Sequence, residues 1–178
     1  KPMTTDTILR FYSMTKPITS VALMMLYEQG LFQLDDPVAE FIPSFNDLRV
    51  YVSGEIADMV TEPLHTPMTI HHLLTHTSGL TYGVENEGLI PELYLKHKTD
   101  FSPDDGSLEA VVERLAKIPL AFQPGARWNY GVSTDVLGRV LEVVSGKTLD
   151  AFFQERIFET LGMADTGFSV PQAKTDRF

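Results

Sequence analysis

Residues 21–27, VALMMLY, are apolar on every face of any helix they could form. A helix of that kind is buried all round, so the rest of the chain has to be arranged about it. Gly30 provides its stop, because glycine takes the left-handed backbone that ends helices at little cost. The run is also far short of the roughly 20 apolar residues needed to cross a bilayer, so no membrane span is expected. A hydrophobic share of 43% over 178 residues is enough to complete a packed core around it.

Downstream, the turn at Asp35-Asp36-Pro37 and the break at Pro43 punctuate a short amphipathic piece. LRVYVSGE reads as a brief strand and turn. TPMTIHHLLTHTSGL reads as a short helix with Thr69 as N-cap and Gly79 as stop. Residues 81–106 are polar, aromatic and weakly periodic, as expected of a long surface excursion that shapes a binding site. Residues 107–118 form a helix with Val111, Val112, Leu115 and Ile118 on one face. After the Pro-Gly turn in FQPGARWNYG, the residues Val136, Leu137, Val140, Leu141 and Val144 mark an amphipathic helix, capped by Ser133 and ended by Gly146. A last helix covers about 148–158. The expected class is helix-rich α+β, with few and short strands and no internal repeat.

The formal net charge is −10, which disfavours nucleic acid, whose phosphates need a basic face, and anionic membrane surfaces. Cysteine is absent, which removes disulfides, thiol nucleophiles and thiolate metal sites.

Three constellations could carry chemistry. Ser13 and Lys16 lie three residues apart, a spacing that puts hydroxyl and amine on one face of a helix. A serine attacks only when a base takes its proton, and a lysine can do so if burial or nearby cations hold it neutral. Lodging the pair against the apolar helix is expected to supply that desolvation, and the backbone N–H at the helix start could serve a developing oxyanion. The same spacing also fits a surface lysine after a capping serine. Tyr130, on the loop ahead of the helix capped by Ser133, could shuttle protons beside an ammonium, or could simply be half-buried with its hydroxyl in water. His72 and His76 stand at i, i+4, the zinc-binding spacing. Leu73 occupies the position where a zinc protease carries glutamate, and no third ligand follows, so hydrogen-bonded structural histidines are the competing reading. SGKT at 145–148 lacks the upstream glycine of a phosphate-binding loop, Leu141 standing in its place. No G-x-S-x-G elbow occurs. No metal or cofactor is expected.

The blocks DTILRFYSMTKPITSVALMMLYEQGLFQLDDPVAEFIP, MTIHHLLTHTSGL and QPGARWNYGVSTDVLGRVLEVVSGKTLDAFFQERIFETLGMADTGF, in that order, resemble the serine β-lactamase-like superfamily. The likeness is to its class C branch: family VIII carboxylesterases, class C β-lactamases and D-alanyl-D-alanine peptidases. It covers nearly the whole chain. It implies that Ser13 is the nucleophile, Lys16 the lysine of S-x-x-K and Tyr130 the motif tyrosine. The implied reaction is acyl transfer through an acyl-enzyme, released to water or to an alcohol. HTSGL then corresponds to an architectural block. Two departures bear on what is expected. The Tyr-x-Asn motif of β-lactamases and peptidases would place asparagine where this chain has Val132, which shifts the expectation toward simple esters. The third motif, a strand with Lys-Thr-Gly, has no counterpart, since KTD at 174–176 lacks the glycine and comes too early. Residues 1–178 are therefore expected to form a single domain that is a piece of a larger serine hydrolase. That piece would be the helical portion of a β-lactamase/transpeptidase-like fold, with most of the antiparallel sheet missing and little activity by itself.

The expected function is thus a carboxylesterase-type serine hydrolase acting on a small-molecule ester. The alternatives are a class C β-lactamase or D-alanyl-D-alanine peptidase acting on β-lactams or peptides, a penicillin-binding module that acylates without turnover, and a helical domain without catalysis.

Overall fold

The computed structural model describes residues 2–84, 86–100 and 106–178. Two helices form its centre. Helix α1, Thr15–Tyr27, lies against α5, Ser133–Ser145, and their contact buries Ala22, Leu23 and Leu26 against Val136, Leu137, Val140 and Leu141. Each such leucine or valine withdrawn from water contributes about 1.5–3 kcal/mol. Around α5 gather α2, Ile70–Leu74, α4, Leu108–Leu115, and α6, Leu149–Phe153. Gly146 ends α5 in the left-handed conformation, as its position suggests. Past α6 the chain continues as a π-turn over Gln154–Phe158. Phe152, Phe153, Ile157 and Phe158 are all buried, and their five-residue spacing is the one a π-turn brings onto one side.

The described residues hold one sheet, an antiparallel pair of β1, Arg49–Ser53, and β2, Val60–Pro63. Val50 faces Glu62, and an irregularity between Tyr51 and Ser53 shifts the register. Residue 120 docks on β1 through Tyr51 N–H to Leu120 O (2.9 Å) and Leu120 N–H to Arg49 O (2.8 Å). This agrees with a helix-rich α+β chain of short strands.

Four expectations need correction. Helix α1 is not buried all round, because Val21 is 56% exposed on the side away from α5. The excursion over 81–106 contains α3, Leu89–His97, with Ile90, Leu93 and Tyr94 buried; its residues 85 and 101–105 lie outside the described residues. Ser133 is not the cap of α5 but its first residue, and its hydroxyl meets Ser78 Oγ at 2.8 Å in the interior. Gly79 does not stop α2, which already ends at Leu74. Thr69, by contrast, is the N-cap of α2, accepting from His72 N–H while His72 Nδ1 accepts from Thr69 N–H.

The two ends of the chain are clasped together. Ile8 N–H donates to Arg177 O (2.8 Å), and Asp165 binds both Arg177 (2.6 Å) and Lys174 (2.7 Å). These hydrogen bonds, from Arg177 first and Lys174 second, hold the Asp165 carboxyl down at about 2. A depressed carboxylate stabilises above its ordinary value and stops doing so as pH falls through the folded one. Limited proteolysis is therefore expected to begin releasing residues 163–178 as pH drops from about 4 to about 2, and Asp165→Asn to do so at neutral pH. The pair is exposed, so salt should weaken it.

Candidate active site

Ser13 sits in a single 3-10 turn, Tyr12–Met14, immediately ahead of α1, with its side chain exposed. Tyr12 before it has φ +43°, an uncommon conformation for a residue with a Cβ. Lys16 falls in the first turn of α1 and points back to Ser13, Nζ lying 3.4 Å from Oγ. Both line a cleft of about 260 Å³, with Thr19, Tyr82, Asp135 and Phe168 in its walls.

Two later segments complete the site because they are stitched to one another. Gly125 N–H donates to Thr77 O (2.8 Å), Asn129 N–H to His76 O (2.8 Å), Ala121 N–H to Gly79 O (2.9 Å) and Val132 N–H to Thr81 O (3.3 Å). Two glycines make this approach possible. A Cβ at Gly79, where φ is +89°, would stand 2.3 Å from Phe122 O, and one at Gly131 would stand 2.7 Å from Thr81 Cα. No side chain fits either gap.

The stitching delivers two tyrosines to Lys16. Nζ donates to Tyr82 Oη at 2.9 Å and lies 4.8 Å from the centre of the Tyr130 ring. The two phenol rings meet edge to face, 5.6 Å apart at 60°. Ser13, Lys16 and Tyr130 are thus brought into one cluster. Tyr82 was not foreseen, because it lies two residues past HTSGL, inside what reads as the surface excursion; it is nevertheless buried. The only hint in the chain is its closeness to that architectural block.

The charge on Lys16 departs from expectation. Burial draws its pKa down, but the hydroxyls of Tyr82 and Tyr130, then the charges of Tyr82 and Asp135, push it up, and the net direction is upward. The lysine is therefore an ammonium at neutral pH, not an amine kept neutral by desolvation. The phenols that reverse the sign come from 66 and 114 residues away in the chain, beyond the reach of local spacing. Burial also raises Tyr82, with the Lys16 hydrogen bond opposing it. Asp135, in the first turn of α5, is pushed up by desolvation with Lys16 opposing, although the residue keeps an opening to solvent.

His72 and His76 take separate tasks. His72 completes the cap of α2. His76 packs on Tyr130 with ring centres 5.1 Å apart, and burial first, Lys16 second, lowers its pKa. Val132 is 1% exposed and belongs to the core, so its side chain does not line the cleft. Lys174 to Asp176 fall in a 3-10 turn, Gln172–Arg177, and not in a strand. Next to Ser13 runs an open groove of about 1030 Å³, lined by Leu9, Phe11, Tyr12, Phe168 and Phe178 among others.

The Beta-lactamase family model matches residues 1–178. Esterase EstB of Burkholderia gladioli is 39% identical over 100% of this chain and 42% of its own length. Acyltransferase calJ of Penicillium decumbens is 38% identical over 92% of this chain and 38% of its own. Among solved structures, unliganded simvastatin synthase (LovD) from Aspergillus terreus superposes with a TM-score of 0.78 at 29% identity, covering 99% of this chain and 42% of that one. The chain thus spans about two fifths of the length of the relatives it matches.

Proposed function

The chain belongs to the Beta-lactamase family, and on that premise we propose that its cluster is the nucleophilic centre of a serine ester hydrolase, with Ser13 as the residue acylated. The observation that carries this reading is the reach of one amine, Lys16 Nζ, to Ser13 Oγ and Tyr82 Oη, with Tyr130 beside it. Ser13 attacks the ester carbonyl while Lys16, in its amine form, accepts the hydroxyl proton; Tyr130 and Tyr82 supply and drain protons at Nζ. Lys16 or a phenol then protonates the departing alcohol, and water or a second alcohol releases the acyl group. The single core that links α1, α5 and the elements around them supports treating residues 1–178 as one domain.

The relative named as an esterase, EstB, favours simple esters over β-lactams and peptides, and valine at 132 has no amide to offer a substrate's acylamino group. A transferase reading is favoured alongside hydrolysis by the relatives named for acyl transfer, calJ and simvastatin synthase.

The test is covalent labelling with a fluorophosphonate followed by peptide mapping. Labelling confined to Ser13 supports the reading; labelling elsewhere, or none in a chain of the relatives' full length, removes it. Short-chain nitrophenyl esters set against a chromogenic cephalosporin decide the substrate class, and an added alcohol reports transfer. Preferential cephalosporin turnover would overturn the ester assignment. Because Lys16 has to lose its raised proton before it can accept one, labelling should speed up as pH climbs from 7 toward the lysine range near 10.5. A flat profile would exclude Lys16 as the acceptor.

A further inference from the structure

We propose that His76 is a positioning residue, its imidazole acting as a flat prop that holds the Tyr130 ring over Lys16. The inference rests on the ester-hydrolase reading and goes beyond it, since His76 has no part in the proton path described above.

Four observations converge. The His76 ring lies 5.1 Å from Tyr130 and 6.3 Å from Trp128, and Trp128 in turn lies 6.4 Å from Tyr130 at an interplanar angle of 23°. With Tyr82 edge-on at 5.6 Å, the Tyr130 ring is bracketed by three aromatic groups and the Lys16 ammonium. Second, His76 holds φ at +54°, a strained conformation for a residue with a Cβ, and such strain persists only where the surroundings enforce it. The carbonyl of that residue is held by Asn129, next to Tyr130, whose N–H donates to His76 O at 2.8 Å. Backbone and ring are therefore both tied to the segment that carries the phenol.

Third, Nδ1 of His76 is buried with no hydrogen-bond partner among the described residues. An unpaired buried nitrogen is a cost, so hydrogen bonding at that atom does not account for an imidazole here, and the flat ring is what remains. Fourth, burial and the neighbouring Lys16 keep the imidazole uncharged, so it adds no second cation beside Nζ. The imidazole packs on the Tyr130 ring at 5.1 Å, and a displacement of about 1 Å in such a cluster can cost about 10²-fold in rate.

The experiment compares fluorophosphonate labelling of Ser13 in the full chain for the native protein, His76→Ala and His76→Phe, separating the limiting rate from the probe concentration at half-saturation. His76→Ala is expected to lower the limiting rate by about 10- to 100-fold with half-saturation moved less than about twofold. His76→Phe, which keeps the flat ring and omits the unpaired nitrogen, is expected to recover most of that loss. A native limiting rate in His76→Ala overturns the proposal, as does failure of phenylalanine to rescue. Should the alanine variant not fold, His76→Phe decides alone: labelling within about threefold of native supports the prop, and a loss beyond about tenfold refutes it. Absence of Ser13 labelling in the native protein would instead defeat the ester-hydrolase reading, which keeps the two failures distinct.

Discussion

Ser13→Ala is expected to lower covalent capture of an activated ester or fluorophosphonate by about 10³-fold or more, the scale seen when a nucleophile is removed from a serine hydrolase. The loss should come without loss of fold. Ser13 is exposed, lies in a one-turn 3-10 segment and contributes nothing to the buried core, so its hydroxyl can go without leaving a cavity. The melting temperature should stay within about 2 °C of native, since surface changes of this kind are usually worth less than about 0.5 kcal/mol. Ser133→Ala is the contrasting case. Its hydroxyl is buried against Ser78, so stability should fall while Ser13 remains the labelled residue. Labelling of Ser13→Ala at native levels would mean that a different group is the nucleophile.

Lys16→Met is expected to cost about 10²–10⁴-fold in the same reaction, the usual contribution of a positioned proton acceptor. Methionine keeps most of the apolar stem, so the loss isolates the amine. Steady-state or labelling rates against pH give the sharper measurement. The native rate should rise with pH as Lys16 deprotonates, and the Lys16→Met rate should not. Tyr82→Phe removes the hydrogen bond that does most to raise the Lys16 pKa, so the rise should move to lower pH in that variant. A stability effect of the same sign accompanies it. A group whose pKa is raised on folding stabilises below its unfolded value and ceases to do so as pH passes the folded one. Native stability should therefore fall on entering the alkaline range above about 10.4, and Tyr82→Phe should flatten that fall. An unchanged pH profile in Tyr82→Phe would remove Tyr82 from the proton path.

Parts of this architecture can be read directly from the residues. Five apolar positions from Val136 to Val144 define α5, Gly146 ends it, and Thr69 caps α2, since each depends on neighbours within one or two turns. The juxtaposition of Ser13 with Lys16 is local in the same sense. What escapes is non-local. Helix α3 is missed because its segment is polar, aromatic and weakly periodic; Pro91 is tolerated in its first turn, where the missing N–H has no partner to lose. The exposed flank of Val21 depends on which side of α1 meets α5, and apolar residues on every face cannot say which. Ser133 looks like a cap until Ser78, 55 residues earlier, takes its hydroxyl. The sign of the Lys16 shift likewise follows from Tyr82 and Tyr130. Desolvation, legible from the greasy helix, accounts for only the smaller side of that balance.

The hydrogen bonds joining 76–81 to 121–133 also dictate when the cluster can exist during folding. Lys16 and Ser13 are adjacent as soon as α1 forms, but the two phenols stand together beside them only after the roughly 50 residues between the stitched segments have closed, and such distant closures are slow events. Half-folded chains would therefore carry a bare serine and an unaccompanied lysine, without reactivity toward surrounding esters. Recovery of labelling after dilution from denaturant then becomes a clock for the final closure rather than for the appearance of helices.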